Sequence, residues 1–283
     1  MNPTKAEYLP INKLRSFENH PFQVKDVDQM DQLVWSVISQ GVMTPIIVRP
    51  MGDEYEVVSG HRRVHACQKA GIETVPALIY SLDRDAAAIA LVDSNLHREH
   101  ILPSEKAFAY KMKLEALNRQ GQRTDLTSSQ LATKLDTAAE IGKAQGESRD
   151  KVYRYIRLTN LIPEILQKVD NGEIAMSPAV EISYLTEAEQ YTLLDAMELN
   201  DCTPSHAQTI RMKKLSQQGH LMEEAIYSIM EEEKPNQKEQ IRLRREDFRK
   251  YFPPGYPEAK IKQDIEKALE LLMRQRQRSR DAR

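Results

Sequence analysis

Cysteine is nearly absent from this 283-residue chain. Cys67 and Cys202 stand alone, which excludes a disulfide-stapled scaffold and suits a reducing compartment. Ten glycines and fourteen prolines are too few for a collagen-like or long low-complexity region. No apolar run approaches the ~20 residues that cross a bilayer, and the opening MNPTKAEYLP has no signal-peptide core. A soluble, cytoplasmic protein with no membrane partner is expected. Neither sign of charge dominates, since 40 basic and 42 acidic side chains leave a formal −2. No repeat of fixed period is present.

The cations that exist are clustered. Lys143 to Arg157 holds five basic residues against two acidic ones, and the last eleven residues hold five arginines against Asp281. A local positive face can bind nucleic acid on a near-neutral protein. A solvated helix face explains either cluster equally simply.

Hydrophobic spacing predicts a helix over 28–40, with Met30, Leu33, Val34, Val37 and Ile38 on one stripe and Gly41 as its stop. TPIIVRP and YEVVSG read as strands around the turn Met51-Gly52-Asp53, His61 to Ala70 as a helix, and TVPALIY as a further strand. Helices are then expected at about 84–98, 104–119, 128–135, 138–145, 148–158, 161–170, 186–198 and 258–279. This gives an α+β domain over 1–103, a helical domain over 104–215, and a charged linker with a C-terminal helix and basic tail over 216–283. The linker itself is placed at 231–240. In the last helix Ile261, Ile265, Ala268 and Leu272 form a two-heptad seam, suited to dimerisation or to packing within the chain. The arginine-rich end reads as a DNA or phosphate anchor, or as a solvated terminus.

Two segments carry the chemistry. The first is the strand-to-helix turn Ser59-Gly60-His61-Arg62-Arg63. A glycine there admits close backbone approach, and the helix start aims unpaired N–H groups at an anion. Two arginines in a first turn oppose the helix dipole, a cost a bound phosphate would offset. A second stretch, Asp93 to Glu99, adds Asn95 and Arg98. Pairing of these arginines with acids such as Glu99 or Glu105 is the competing explanation. His61 and His65, and His97 with His100, are spaced as helical metal pairs, but HRRVH lacks the glutamate of HExxH and lies among arginines, so no metal site is expected.

The other segment is Ala138 to Leu158. A helix, the turn Gly146-Glu147-Ser148 and a second helix capped by Ser148 fit a helix-turn-helix. Ile141, Val152, Ile156 and Leu158 supply a shared core and leave Arg149, Asp150, Lys151, Arg154 and Arg157 outward. Arg149 and Lys151 are candidates for base edges or nearby phosphates, with Tyr153 and Arg154 on the backbone of double-stranded DNA. A plain helical hairpin in a bundle is the alternative.

The blocks LPINKL, NHPFQ, GVMTPIIVRP, YEVVSGHRRVHAC and NLHREHILPSEKAFAY, in that order over about residues 7–200, resemble the ParB/RepB partition family. The resemblance implies an α+β ParB/sulfiredoxin-like amino-terminal domain followed by an all-α helix-turn-helix domain and a helical C-terminal region. It implies that Gly60, Arg62, Arg63, Asn95 and Arg98 bind CTP with Mg2+. His61 stands where the family often has glutamate, and Ser94 where a glutamate makes metal-linked phosphate contacts, with Asp93 one residue away as a substitute. Sulfiredoxin shares the fold but needs a cysteine where His61 stands, so its chemistry is not expected, and Cys67 reads as a small buried residue. The added segment TSSQLATKLDTAAEIGKAQ resembles partition proteins of mobile elements. A sequence-specific DNA-binding protein of plasmid or chromosome partition type is expected, acting as a CTP-responsive clamp. The family implies a homodimer, a ParA-type ATPase partner, a nucleoid- or plasmid-associated location, and at most weak CTPase activity. The alternatives are a nucleotide-independent transcription or replication regulator and a phosphotransferase or nuclease on the same fold.

Overall fold

The computed structural model describes residues 5–22, 28–98, 100–124, 130–232, 251–252 and 257–281. One mixed sheet holds β1 (Lys5–Pro10), β2 (Leu14–Ser16), β3 (Ile46–Met51), β4 (Glu54–Ser59) and β5 (Thr74–Ile79) in the order β1-β5-β3-β4-β2. The β1/β5 and β3/β4 pairs are antiparallel, whereas β3/β5 and β2/β4 are parallel. β3, β4 and β5 occupy the expected segments. β1 and β2 are additions that apolar alternation does not announce, since each buries a single residue, Leu9 or Leu14.

Successive strand residues point to opposite faces, and β4 uses both. Val57 joins Met30, Val37, Val64 and Cys67 beneath α1 (Asp28–Gln40) and α2 (His61–Lys69), while Val58 packs with Ala88 and Leu91 of α3 (Arg84–Asn95). The strand is therefore covered twice, and the turn that follows it is pinned from both sides.

Eight more helices follow in the same compact unit: α4 (Pro103–Thr124), α5 (Gln130–Ala144), α6 (Arg149–Arg157), α7 (Pro163–Asp170), α8 (Met176–Ile182), α9 (Glu187–Leu199), α10 (His206–Gln217) and α11 (Glu223–Glu231). The two helices expected at 128–135 and 138–145 are one, α5. No glycine or proline interrupts the segment from Gln130 to Ile141, so nothing there stops a helix.

α4 begins at the expected boundary near 103, yet it does not start a separate core. Its Ala109, Tyr110 and Ala116 pack with Ala87, Leu91 and Val92 of α3, and Ala107 belongs to a second core with Leu158, Ile165 and Ile182. Ile226, Ile229 and Met230 of α11 complete that second core. The compact unit runs to Glu232, beyond the boundary expected at 215.

The second unit, 233–283, contains α12 (Glu258–Asp281). Of the expected seam, Ile261 and Ile265 are half-buried and Ala268 and Leu272 exposed. Most of the expected linker, from 233 to 240, and the final Arg283 lie outside the described residues. Among the described residues, no helix is long and apolar enough to cross a membrane.

Candidate functional site

Gly60 ends β4 and caps α2 with φ 104° and ψ 19°, a left-handed conformation that glycine adopts without strain. A Cβ here would lie 2.7 Å from Ile46 Cγ2 and 3.3 Å from Arg63 Cζ, so the site also lacks room for one. No side chain caps the helix. Its first internal bond runs from Val64 N–H to the Gly60 carbonyl, which leaves the N–H groups of His61, Arg62 and Arg63 without intrahelical acceptors.

A groove of about 580 Å³ opens over this turn, lined by Ser59 to Arg63, by Ser94, Asn95 and Arg98, and by Gln32, Leu33 and Ser36 of α1. Both sequence segments thus meet at one place. Arg62 makes no hydrogen bond or ion pair with another described residue. Arg98 lies 5.5 Å above the Phe22 ring. Burial pulls its guanidinium below the usual value, Glu105 opposes that, and the neighbouring charge of Arg62 adds to it. Two cations facing one cavity favour an anion between them.

The other members differ in what they are free to do. The Arg63 guanidinium donates to the carbonyls of Thr44 and Pro45, the latter at 2.6 Å. It ties α2 to the segment before β3. Asn95 is buried, and its amide donates to the Leu91 carbonyl at 2.8 Å and to Ser94 Oγ at 3.2 Å. Asp93, expected as a substitute metal ligand, instead pairs with Lys113 of α4. Among the described residues the groove lining holds no carboxylate, and no cluster of three metal-ligating side chains exists. The described lining suits a polyphosphate and itself supplies no carboxylate to a Mg2+ ion.

The His61 and His20 rings lie against each other, centroids 4.0 Å apart and planes tilted by 54°. His20 Nδ1 lies 2.6 Å from the Phe22 carbonyl. A carbonyl only accepts, so Nδ1 carries the hydrogen and Nε2 is left a lone pair. The Nε2 atoms of both histidines are buried without partners. Burial, then His20, then Arg98 depress the His61 imidazole to about 3, so it is neutral at physiological pH. His20 and Phe22 were not singled out as site residues. Their only signal was the block NHPFQ, some forty residues from the turn it joins.

The second site is the α5–α6 hairpin. Glu147 N–H donates to the Gly142 carbonyl at 2.8 Å, and a Cβ on Gly142 would sit 2.6 Å from the Glu147 carbonyl oxygen. The helices can approach this closely only because residue 142 has no side chain. Ser148 caps α6 as expected, its Oγ accepting from Lys151 N–H at 3.2 Å. Ile141 and Val152 form the expected shared core, but Leu158 turns into the second one.

Arg149, Lys151 and Arg154 are exposed. Arg149 contacts only its neighbour Asp150 at 3.1 Å, and Arg154 reaches Ser177 Oγ at 2.9 Å. Tyr153 is half-buried against the core. Arg157, expected outward, folds back instead: its Nε donates to Ser183 Oγ at 3.2 Å and its guanidinium lies 3.8 Å from the Tyr184 ring. Glu147, which the sequence marked only as a turn residue, is a hub. It accepts from Lys106 at 2.6 Å and Tyr110 at 2.8 Å, both on α4, and pairs with Lys151 at 3.0 Å. Burial alone would raise its carboxyl, but the bonds from Lys106, Lys151 and Tyr110 hold it below its usual value.

Residues 2–96 match the family model of the ParB N-terminal domain. The chain is 30% identical over 213 residues to a probable chromosome 1-partitioning protein ParB of Deinococcus radiodurans, covering 75% of this chain and 67% of that one. It is 34% identical over 195 residues to a nucleoid occlusion protein of Listeria innocua, covering 68% and 62%. A solved structure, the C-terminally truncated chromosome-partitioning protein ParB from Caulobacter crescentus complexed with CTP-gamma-S, is 27% identical and covers 65% of this chain and 94% of that one, with a TM-score of 0.32. The aligned stretches span roughly two thirds of these curated relatives. Several ordered blocks, the amino-terminal domain match and this extent of identity have one common explanation: the chain belongs to the ParB family of chromosome-partitioning proteins.

Proposed function

We propose that this chain is a partition-type DNA-binding protein whose amino-terminal groove takes the triphosphate of a nucleotide, CTP by family precedent, and whose α6 reads duplex DNA. The observation that carries the nucleotide half is the meeting of Arg62 and Arg98 over Gly60, with Arg62 lacking any partner among the described residues. Backbone N–H groups at the start of α2 supply the remaining donors. Arg63 supports the turn through its carbonyl contacts, and Asn95 holds the second segment in place.

The DNA half rests on Arg149, Lys151 and Arg154, all exposed on the short second helix of a close-packed hairpin. Helices of this kind enter the major groove with their N-terminal residues leading. A homodimer engaging paired half-sites, and a ParA-type ATPase as partner, complete the reading on family grounds.

A nucleotide-indifferent regulator is the second reading. Two observations favour it: Arg63 is committed to backbone carbonyls, and the described residues of the groove offer a metal no carboxylate. Calorimetric titration of the full chain with CTP, ATP and GTP, with and without Mg2+ and duplex DNA, separates the two. Saturable CTP binding that alters duplex affinity supports the switch. Duplex binding unaffected by any nucleotide supports the regulator.

A further inference from the structure

Glu147 offers Lys151 the same chemistry that a DNA phosphate would. Its carboxylate is 7% exposed, and one oxygen serves two ammonium groups, Lys106 at 2.6 Å and Lys151 at 3.0 Å. Lys106 is the more deeply held, 20% exposed and 4.9 Å from the Tyr155 ring. Lys151 is 51% exposed and, among the described residues, makes this ion pair alone. When Lys151 leaves, Glu147 keeps Lys106 and the Tyr110 hydroxyl, so releasing it strands no buried charge. Lys151 also sits in the first turn of α6, where the helix dipole disfavours a cation, and Glu147 offsets that field.

We propose that Glu147 is an internal phosphate mimic that holds Lys151 back from the DNA backbone. Lys151 then adds nothing to non-specific duplex binding. It is released only where the seating of α6 brings a better acceptor within reach of its ammonium group. Glu147 is on this account a specificity-determining residue. The inference rests on the reading of α6 as the DNA-contacting helix.

The test follows the affinity of the full chain for a short duplex of arbitrary sequence across a salt series. Each neutralised phosphate contributes about 0.9 to the slope of log affinity against log salt. Glu147→Gln keeps the shape and the capacity to bond Tyr110 but removes the charge that holds Lys151. Its slope is expected to steepen by about one such increment, and the double variant Glu147→Gln/Lys151→Ala to return to the wild-type slope. An unmoved slope in folded Glu147→Gln, or a double variant that stays as steep as Glu147→Gln, overturns the inference. Failure of the α6 reading looks different, because Arg149→Ala/Arg154→Ala would then leave duplex binding untouched, and the inference falls with it.

Discussion

Replacing Gly60 by alanine probes the one position on which the groove depends for both its shape and its room. At φ 104° a residue with a Cβ pays about 1–3 kcal/mol in backbone strain. The new atom would also stand 2.7 Å from Ile46 Cγ2 and 3.2 Å from Ile46 Cβ. Ile46 is fully buried in β3, and a branch carbon beside the backbone cannot swing aside as a side-chain tip would. Overpacking of this kind adds about 1–3 kcal/mol, for a total of roughly 2–6 kcal/mol. Gly52 is the control. It has φ 62° with nothing within 4 Å of an added Cβ, so Gly52→Ala should cost only about 1–2 kcal/mol. At about 2–4 °C per kcal/mol for a unit of this size, Gly60→Ala should melt roughly 4–24 °C lower, and Gly52→Ala only a few degrees lower. Urea unfolding of both variants gives the same comparison at constant temperature. Equal losses in the two, or a loss under about 1 kcal/mol at Gly60, would refute the claim that close approach to Ile46 reserves this position for glycine.

The arginines of the groove should separate by role. Arg62→Ala and Arg98→Ala are expected to weaken nucleotide binding by about 10- to 100-fold, the worth of a charged hydrogen bond, with melting unchanged, whereas Arg63→Ala should lower the melting temperature; calorimetry and thermal melts read the two effects. Acid should loosen the fold through His61, whose folded value of about 3 lies below its ordinary 6.5. The unfolded chain binds the proton first, so this contribution is complete above about 6.5 and is lost as pH falls towards 3, amounting to about 1.4 kcal/mol near pH 5.5. His61→Asn should show a shallower loss of stability between neutral pH and about pH 5, and an identical pH profile would sink the assignment. Gly142→Ala should cost about 1–3 kcal/mol and weaken duplex binding together with it, because its Cβ would press on the Glu147 carbonyl and part α5 from α6.

Much of this arrangement was legible in the residues because its signals are local. A β-branched run ending in glycine announced the Gly60 turn, and Ser148 announced the start of α6, since each acts on backbone within three or four residues of itself. What escaped notice is what depends on distant chain. Arg62 and Arg63 are adjacent and alike, yet only Arg63 finds Thr44 and Pro45, nearly twenty residues away. Arg157 has the spacing of an outward residue, but Ser183 and Tyr184 draw it back. His20 and Phe22 reach His61 and Arg98 through a segment with no periodicity to place it. Glu147 lies in a polar turn, where an acid is unremarkable until Lys106 and Tyr110 arrive on α4. The two helices expected at 128–135 and 138–145 are joined because no glycine or proline stands between them to end the first.

Two stretches of the chain each serve two of the three hydrophobic interiors at once. On a single turn of α4, Ala107 belongs to one and Ala109 and Tyr110 to the other, and α6 with the residue that follows it repeats the pattern through Val152 and Leu158. Tyr155 touches both. There is consequently no seam along which the sheet and the carboxyl-terminal helices of this unit could part while each stayed dry. Heat should take residues 5–232 apart in one cooperative step, and a protease should find no stable half to leave behind.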